Sequence, residues 1–118
     1  MKNKELVTTI NVLGTDYKVL ISTPEKSKVL QKCDGCILPE IKTIYLDVRN
    51  KKQHQEHVLA HELVHAFLYE SGLDVESWAC NEEIVDWIAL QINKIYTTVK
   101  QGINSFNRNI KETKKDDK

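Results

Sequence analysis

His61-Glu62-Leu63-Val64-His65 places two imidazoles and a carboxylate at a spacing that can do hydrolytic chemistry. The segment reads as a helix. Residues there advance by about 100° each, so His61 and His65 fall about 40° apart, one turn from each other. Two imidazoles so placed can grip one metal ion from the same face. Glu62 stands roughly 100° from His61, badly placed to join the ligand set and well placed to reach a water on the metal. This HExxH arrangement is the one in which two histidines hold zinc and the glutamate acts as general base.

The plainer reading of the same residues is a helix whose histidines merely face solvent or core. The flanks weigh against it. Residues 57–69 are helical and apolar, and Ala60, Leu63, Val64 and Phe67 form a stripe roughly 200–300° round from His61. The histidines border that stripe, which predicts a half-buried helix with its histidine face lining a cleft.

A zinc site needs a third protein ligand. In the stretch from Asn81 to Ala89, Glu82 and Asp86 lie one turn apart. Ile84, Ile88, Ile92, Ile95 and Val99 recur at helical spacing and predict a second amphipathic helix. Glu82 and Asp86 flank its stripe, while Glu83 points about 100° further round, away from the core side. Acids at a helix N-terminus also suit the helix dipole, and Asn81 can be the N-cap. Taken with the HExxH string, Glu82 is the expected ligand in preference to Glu83. Asp86 is expected behind it, accepting the second N–H of a ligating histidine and so fixing the ring.

HExxH followed by a helix reading Asn-Glu-x-x-x-Asp resembles the gluzincin metallopeptidases, whose thermolysin-type members take the third ligand from that Glu and orient a histidine with a carboxylate four residues on. The short spacing and small size are more similar to the ImmA/IrrE-type metallopeptidases of bacteria and phages, the likeness being to small phage-encoded members. Their downstream helix often reads Glu-x-x-Ala-Asn-x-Phe-Ala. Against it, Glu82 takes the Glu, Val85 the first Ala, Asp86 the Asn, Ile88 the Phe and Ala89 the second Ala. The match covers roughly residues 42–95, and the chain has no recognisable helix-turn-helix. The resemblance implies a minimal zincin-like domain and again selects Glu82.

The expected centre is one Zn²⁺ per chain, held by His61, His65 and Glu82 with water in the fourth position. Glu62 would take a proton from the zinc-bound water and deliver it to the leaving amine of a peptide or protein substrate. A further donor is wanted near the oxyanion. Tyr69 and Tyr45 are candidates, with His54 and His57 behind them. His57 is no rival ligand alongside His65, because eight residues separate them by about 12 Å along a helix. Two other functions fit the same residues. One is a zinc-stapled, non-catalytic protein-binding module of phage or prophage origin. The other is a metal-free helical interaction domain. Metal content separates the second from the rest, and turnover separates the first from the enzyme.

The 118 residues suit a single domain. Lys plus Arg and Asp plus Glu balance at 17 each, which argues against a nucleic-acid or anionic-membrane partner. No apolar h-region follows the N-terminal Met1-Lys2-Asn3-Lys4-Glu5 and no apolar run approaches a membrane span, so a cytoplasmic protein is expected. Cys33, Cys36 and Cys80 are an odd set with no disulfide scaffold in view. Cys33-Asp34-Gly35-Cys36 could bind metal or do redox chemistry, but the Asp-Gly centre reads first as a hairpin turn.

The elements that must position the site are then an α+β domain: a small antiparallel or mixed sheet packed on two main helices, the first carrying HExxH. Residues 6–13 and 17–21 read as two strands joined by a turn at Gly14-Thr15-Asp16, 29–38 as a strand broken at Asp34-Gly35, and 43–48 as the clearest strand of all. That last strand is either an exposed edge, able to bind substrate backbone by strand addition, or fully paired and structural. Ser71-Gly72 ends the first helix, and residues 74–80 connect to the second. Residues 1–104 form the domain and 105–118 a charged tail expected to be disordered.

Overall fold

The computed structural model describes residues 4–73 and 78–116. The expected N-terminal start at residues 1–3, most of the 74–80 connection and the last two residues of the tail lie outside them. Among the described residues nine elements follow in order. Strands β1 (Lys4–Val12) and β2 (Thr15–Ser22) precede a 3₁₀ turn (Lys28–Gln31), β3 (Gly35–Leu38), a second 3₁₀ turn (Pro39–Ile41) and β4 (Thr43–Asp47). Then come helix α1 (Lys52–Glu70), a third 3₁₀ turn (Trp78–Cys80) and helix α2 (Glu82–Asp116). Among these elements no helix is long and apolar enough to cross a membrane.

The sheet order is β1-β2-β4-β3, with β2 and β4 parallel and the other neighbours antiparallel, so the fold is α+β with a mixed sheet. Leu13 and Gly14 close the β1–β2 hairpin with φ of 52° and 94°. Positive φ at both central residues is what a two-residue turn matched to strand twist requires. Val12, Tyr17, Val19, Ile44 and Leu46 from the sheet meet Val58 and Ala66 from α1 in the core. The far end of α1 is tied to the hairpin through Glu70, which accepts from the Tyr17 hydroxyl at 2.6 Å and from Lys42 Nζ at 2.9 Å. Those two donors, Tyr17 foremost, hold the Glu70 carboxyl below its ordinary range. As expected, Ser71-Gly72 ends α1. Gly72 has φ 78°, and the Leu73 N–H reaches the Leu68 carbonyl at 2.9 Å while that of Gly72 reaches Tyr69, a Schellman cap.

Several expectations need correction. Only residues 35–38 of the 29–38 stretch are strand; Lys28–Gln31 is a 3₁₀ turn that drives Leu30 into the interior. Of the two readings left open for residues 43–48, the fully paired one holds. β4 is paired on both sides and buried at every position, and the edge beside the helices is β3. The buried side of α1 runs through Val58, Glu62 and Ala66, whereas Phe67 of the expected stripe is 46% exposed. Apolar residues surround most of this helix, so their spacing could not pick the face that meets the sheet. In α2 the packed residues are Val85 and Ala89, and the isoleucine stripe is mostly exposed. Finally, residues 105–116 continue α2 where a disordered tail was expected. Ile103, Phe106 and Ile110 extend the helical apolar spacing, and neither Gly nor Pro follows Gly102 to stop it.

Gly35 opens β3 where there is no room for a side chain. A Cβ would sit 2.9 Å from the Tyr45 carbonyl oxygen and closer still to a Val58 methyl. Gly35→Ala should therefore cost about 1–3 kcal/mol, as overpacking does, and lower the denaturation midpoint accordingly. An unchanged midpoint would mean that the β3–α1 contact is looser than drawn.

Candidate metal centre

Helix α1 supplies His61, Glu62 and His65, and the first turn of α2 supplies Glu82. Asn81 starts α2 as expected: its Oδ1 accepts the Ile84 N–H at 2.9 Å, three residues on, as an N-cap does. With that start, Glu82, Val85, Asp86 and Ala89 fall on the side of α2 that packs on α1.

Glu82 Oε1 is the point of convergence. It lies 2.9 Å from Nε2 of His61 and 2.9 Å from Nε2 of His65. On the other side of the His61 ring, Nδ1 is 3.1 Å from Asp86 Oδ1. Both nitrogens of His61 thus face carboxylate oxygens. Burial works against charge on this ring, but the hydrogen bonds to Asp86 and then Glu82 prevail and hold its pKa above the ordinary histidine value. Burial raises Glu82 too, and the bonds to His65 and His61 outweigh it, leaving the carboxyl below its usual range. The two Nε2 atoms and Glu82 Oε1 thus converge on one point.

The donor set fits zinc. Two imidazole nitrogens and a carboxylate oxygen lie within 4.8 Å of one another. Bonds of about 2.0–2.1 Å at a tetrahedral angle set donors roughly 3.3 Å apart, so the observed 2.9 Å asks for an opening of a few tenths of an ångström. Asp86 on the far nitrogen of His61 is the partner that fixes a ligating ring. Among the described residues no other group of three His, Cys, Asp or Glu side chains gathers in this way.

Glu62 is 8% exposed. Burial pushes its carboxyl up, His61 and His65 pull it back, and the charge on Glu82 pushes it further up. It lines a cleft of about 500 Å³ with His61, His65, Glu82 and Tyr69, and β3 walls the cleft at Gly35, Cys36 and Ile37. Tyr69 thus reaches the cleft, with Lys42 Nζ 4.7 Å above its ring. Tyr45 does not. Ile44 and Leu46 point to the core shared with α1, and strand alternation sends Tyr45, 6% exposed, to the opposite face. That removes it as an oxyanion donor. His54 is drawn off to Asp34 at 2.7 Å.

Two features were missed in sequence. His57 Nε2 is 3.1 Å from Asp86 Oδ1, so one carboxylate serves both His57 and His61. Their four-residue spacing was the available signal. The CxxC stretch forms cleft wall rather than a hairpin turn, because a 3₁₀ turn and not a strand precedes it. The Cys36 thiol is pushed up to about 11, chiefly by burial and then by Cys33, so it stays protonated and is a poor ligand at neutral pH.

Asp86→Asn keeps shape but weakens the acceptor for both rings. Zinc should still bind, about 10–100-fold more weakly, as losses of such orienting partners do. Competition with a chromophoric chelator measures it. Unaltered affinity would leave Asp86 a surface acid with no part in the centre. Set against protein-family models, curated proteins and solved structures, the chain matches none of them.

Proposed function

We propose that this chain is a zinc-dependent metallopeptidase of gluzincin type, similar to the small ImmA/IrrE-type enzymes, that hydrolyses a peptide bond in a peptide or protein substrate. The observation that carries the reading is the convergence of His61 Nε2 and His65 Nε2 on Glu82 Oε1 beside the buried carboxylate of Glu62. His61, His65 and Glu82 would hold the ion. When bound, zinc supplies Lewis-acid polarisation of a carbonyl and makes water ionisable near neutral pH.

The chain's own residues do the rest. Glu62 accepts the proton of the attacking water and returns it to the leaving amine, so the products are a carboxylate and an amine. Its burial favours this work, since a base raised toward the operating pH gives the proton back more readily. Asp86 holds the His61 ring, and His57 anchors Asp86. Tyr69 offers the cleft a hydroxyl donor for charge developing on the carbonyl oxygen. The edge strand β3 offers backbone groups to an extended peptide, the role first considered for residues 43–48.

A structural staple would use four protein ligands and would leave Glu62 without work. The test is direct. Zinc-loaded protein is incubated with a peptide library, and new amine termini are counted by mass spectrometry. Cleavage that disappears with a chelator and returns with zinc supports the enzyme. Zinc bound without cleavage across a broad library supports the binding module instead.

A further inference from the structure

Helix α2 is far longer than its packing needs. It runs 35 residues, its buried residues Val85 and Ala89 lie in the first two turns, and the molecule extends 71 × 32 × 26 Å. The radius of gyration is 19.2 Å, where a compact chain of this length has about 13–14 Å. The projecting part is not polar. Ile92, Ile95, Val99, Ile103 and Phe106 are 39–61% exposed along it. An apolar face of this length on a water-soluble helix marks a contact surface.

The order of these residues says what covers them. From Ile88 to Ile110 the apolar steps are 4, 3, 4, 4, 3 and 4, the same in both directions about Val99. A second copy laid antiparallel, with Val99 on the two-fold axis, puts Ile88 in one layer with Ile110 of its neighbour, Ile92 with Phe106, and Ile95 with Ile103. The 3-4-4 spacing follows a nearly straight helix, so the stripe does not wander off the partner. The charges agree with this register. Within residues 88–110, Lys94 meets Asn104, Lys100 meets Thr98 and Arg108 meets Leu90, so no like charges are opposed along the stripe; beyond it, positions 86 and 82 fall level with the acids at 112 and 116. No acid stands between Asp86 and Glu112 to draw in a basic partner. The stripe is about 33 Å long and a helix about 10 Å wide, roughly 330 Å² of projection per chain; with side-chain relief the pair reaches the order of 1,000 Å² that a specific interface needs.

We propose that α2 pairs with α2 of a second copy of this chain, antiparallel and centred on Val99, to form a homodimer. A closed two-fold contact uses one patch twice, which is what the symmetric stripe provides. The metal centre takes no part in this contact, so the dimer stands or falls apart from the peptidase reading.

Sedimentation equilibrium of the full chain at tens of micromolar tests it. The expected mass is twice 13.6 kDa. Val99→Lys places two ammonium groups at the axis, in a residue type that suits helices, and should return the single-chain mass without loss of helical circular dichroism. Thr97→Lys, on the far side of α2, should stay dimeric. Orientation has its own test. Ile92→Lys and Phe106→Glu should each be monomeric, and their equimolar mixture should recover the dimer, because only antiparallel pairing sets position 92 against 106. A wild-type monomer overturns the proposal, and if that monomer sediments with anionic vesicles the stripe belongs to a lipid surface. A dimer that survives Val99→Lys, or a mixture that stays monomeric, overturns the contact as drawn.

Discussion

Replacing His61 or His65 by alanine should strip the protein of zinc. Wild type is expected to hold about one equivalent, measured by metal analysis after gel filtration, and each variant close to none. The loss should run well past the roughly 100-fold that orienting partners command, because each substitution removes one of only three protein donors. Glu82→Ala should behave in the same way. Glu83→Ala should not, since α2 turns Glu83 away from the two Nε2 atoms that meet Glu82 Oε1. Zinc takes its histidine and carboxylate donors deprotonated, so binding should release protons and weaken as the pH falls. It should also stabilise the fold, by about 2.7 kcal/mol at a hundred times the dissociation constant. Thermal scans with and without zinc would read this as a rise in Tm for wild type and none for the histidine variants. Full zinc retention by either variant would place the ion elsewhere and overturn this site.

Much of this centre was legible in the chain because it is local. His61, Glu62 and His65 lie in five residues of one helix, where geometry follows from 3.6 residues per turn alone. Glu82 and Asp86 are one turn apart on another helix, and Asn81 caps that helix as its type predicts. The α+β class and the presence of the first hairpin were equally local matters of period, although the turn falls at Leu13-Gly14 and not at the expected Gly14-Thr15-Asp16. The parts that were not legible depend on contacts distant in sequence. Which strand forms the sheet edge is set by β2 pairing with β4 in parallel across the intervening 3₁₀ turns and β3, and alternation within residues 43–47 carries no trace of it. Which face of α1 is buried was obscured by apolar residues on nearly every side. In α2 the regular isoleucine spacing was legible, and its natural reading was a core face. The structure buries Val85 and Ala89 instead and leaves the stripe to project. A periodic stripe announces that some surface will be covered, without saying by which chain.

Glu62→Gln should retain zinc and fold while losing nearly all cleavage. The substitution keeps length and helix propensity and removes only the group that can take a proton. Glu62 is not among the convergent donors, so metal content should equal that of wild type. Its carboxyl is buried and held above its ordinary range by that burial, so a neutral amide is tolerated there at least as well as a charged acid. A fall in stability would therefore point to a structural task for the carboxylate. Catalysis is another matter. General-base assistance is typically worth about 10²–10⁴-fold, and in the proposed reaction the same group would serve twice, once on the attacking water and once on the leaving amine. The assay sets wild type and Glu62→Gln, loaded equally with zinc, against one peptide library under the same conditions, with rates taken from the appearance of new termini. A 100-fold or greater deficit at equal zinc content separates an enzyme from a stapled scaffold, because a scaffold has no turnover to lose. Equal rates from the two proteins would assign the cleavage to a contaminant or to a base other than Glu62, and the peptidase reading would fall with them.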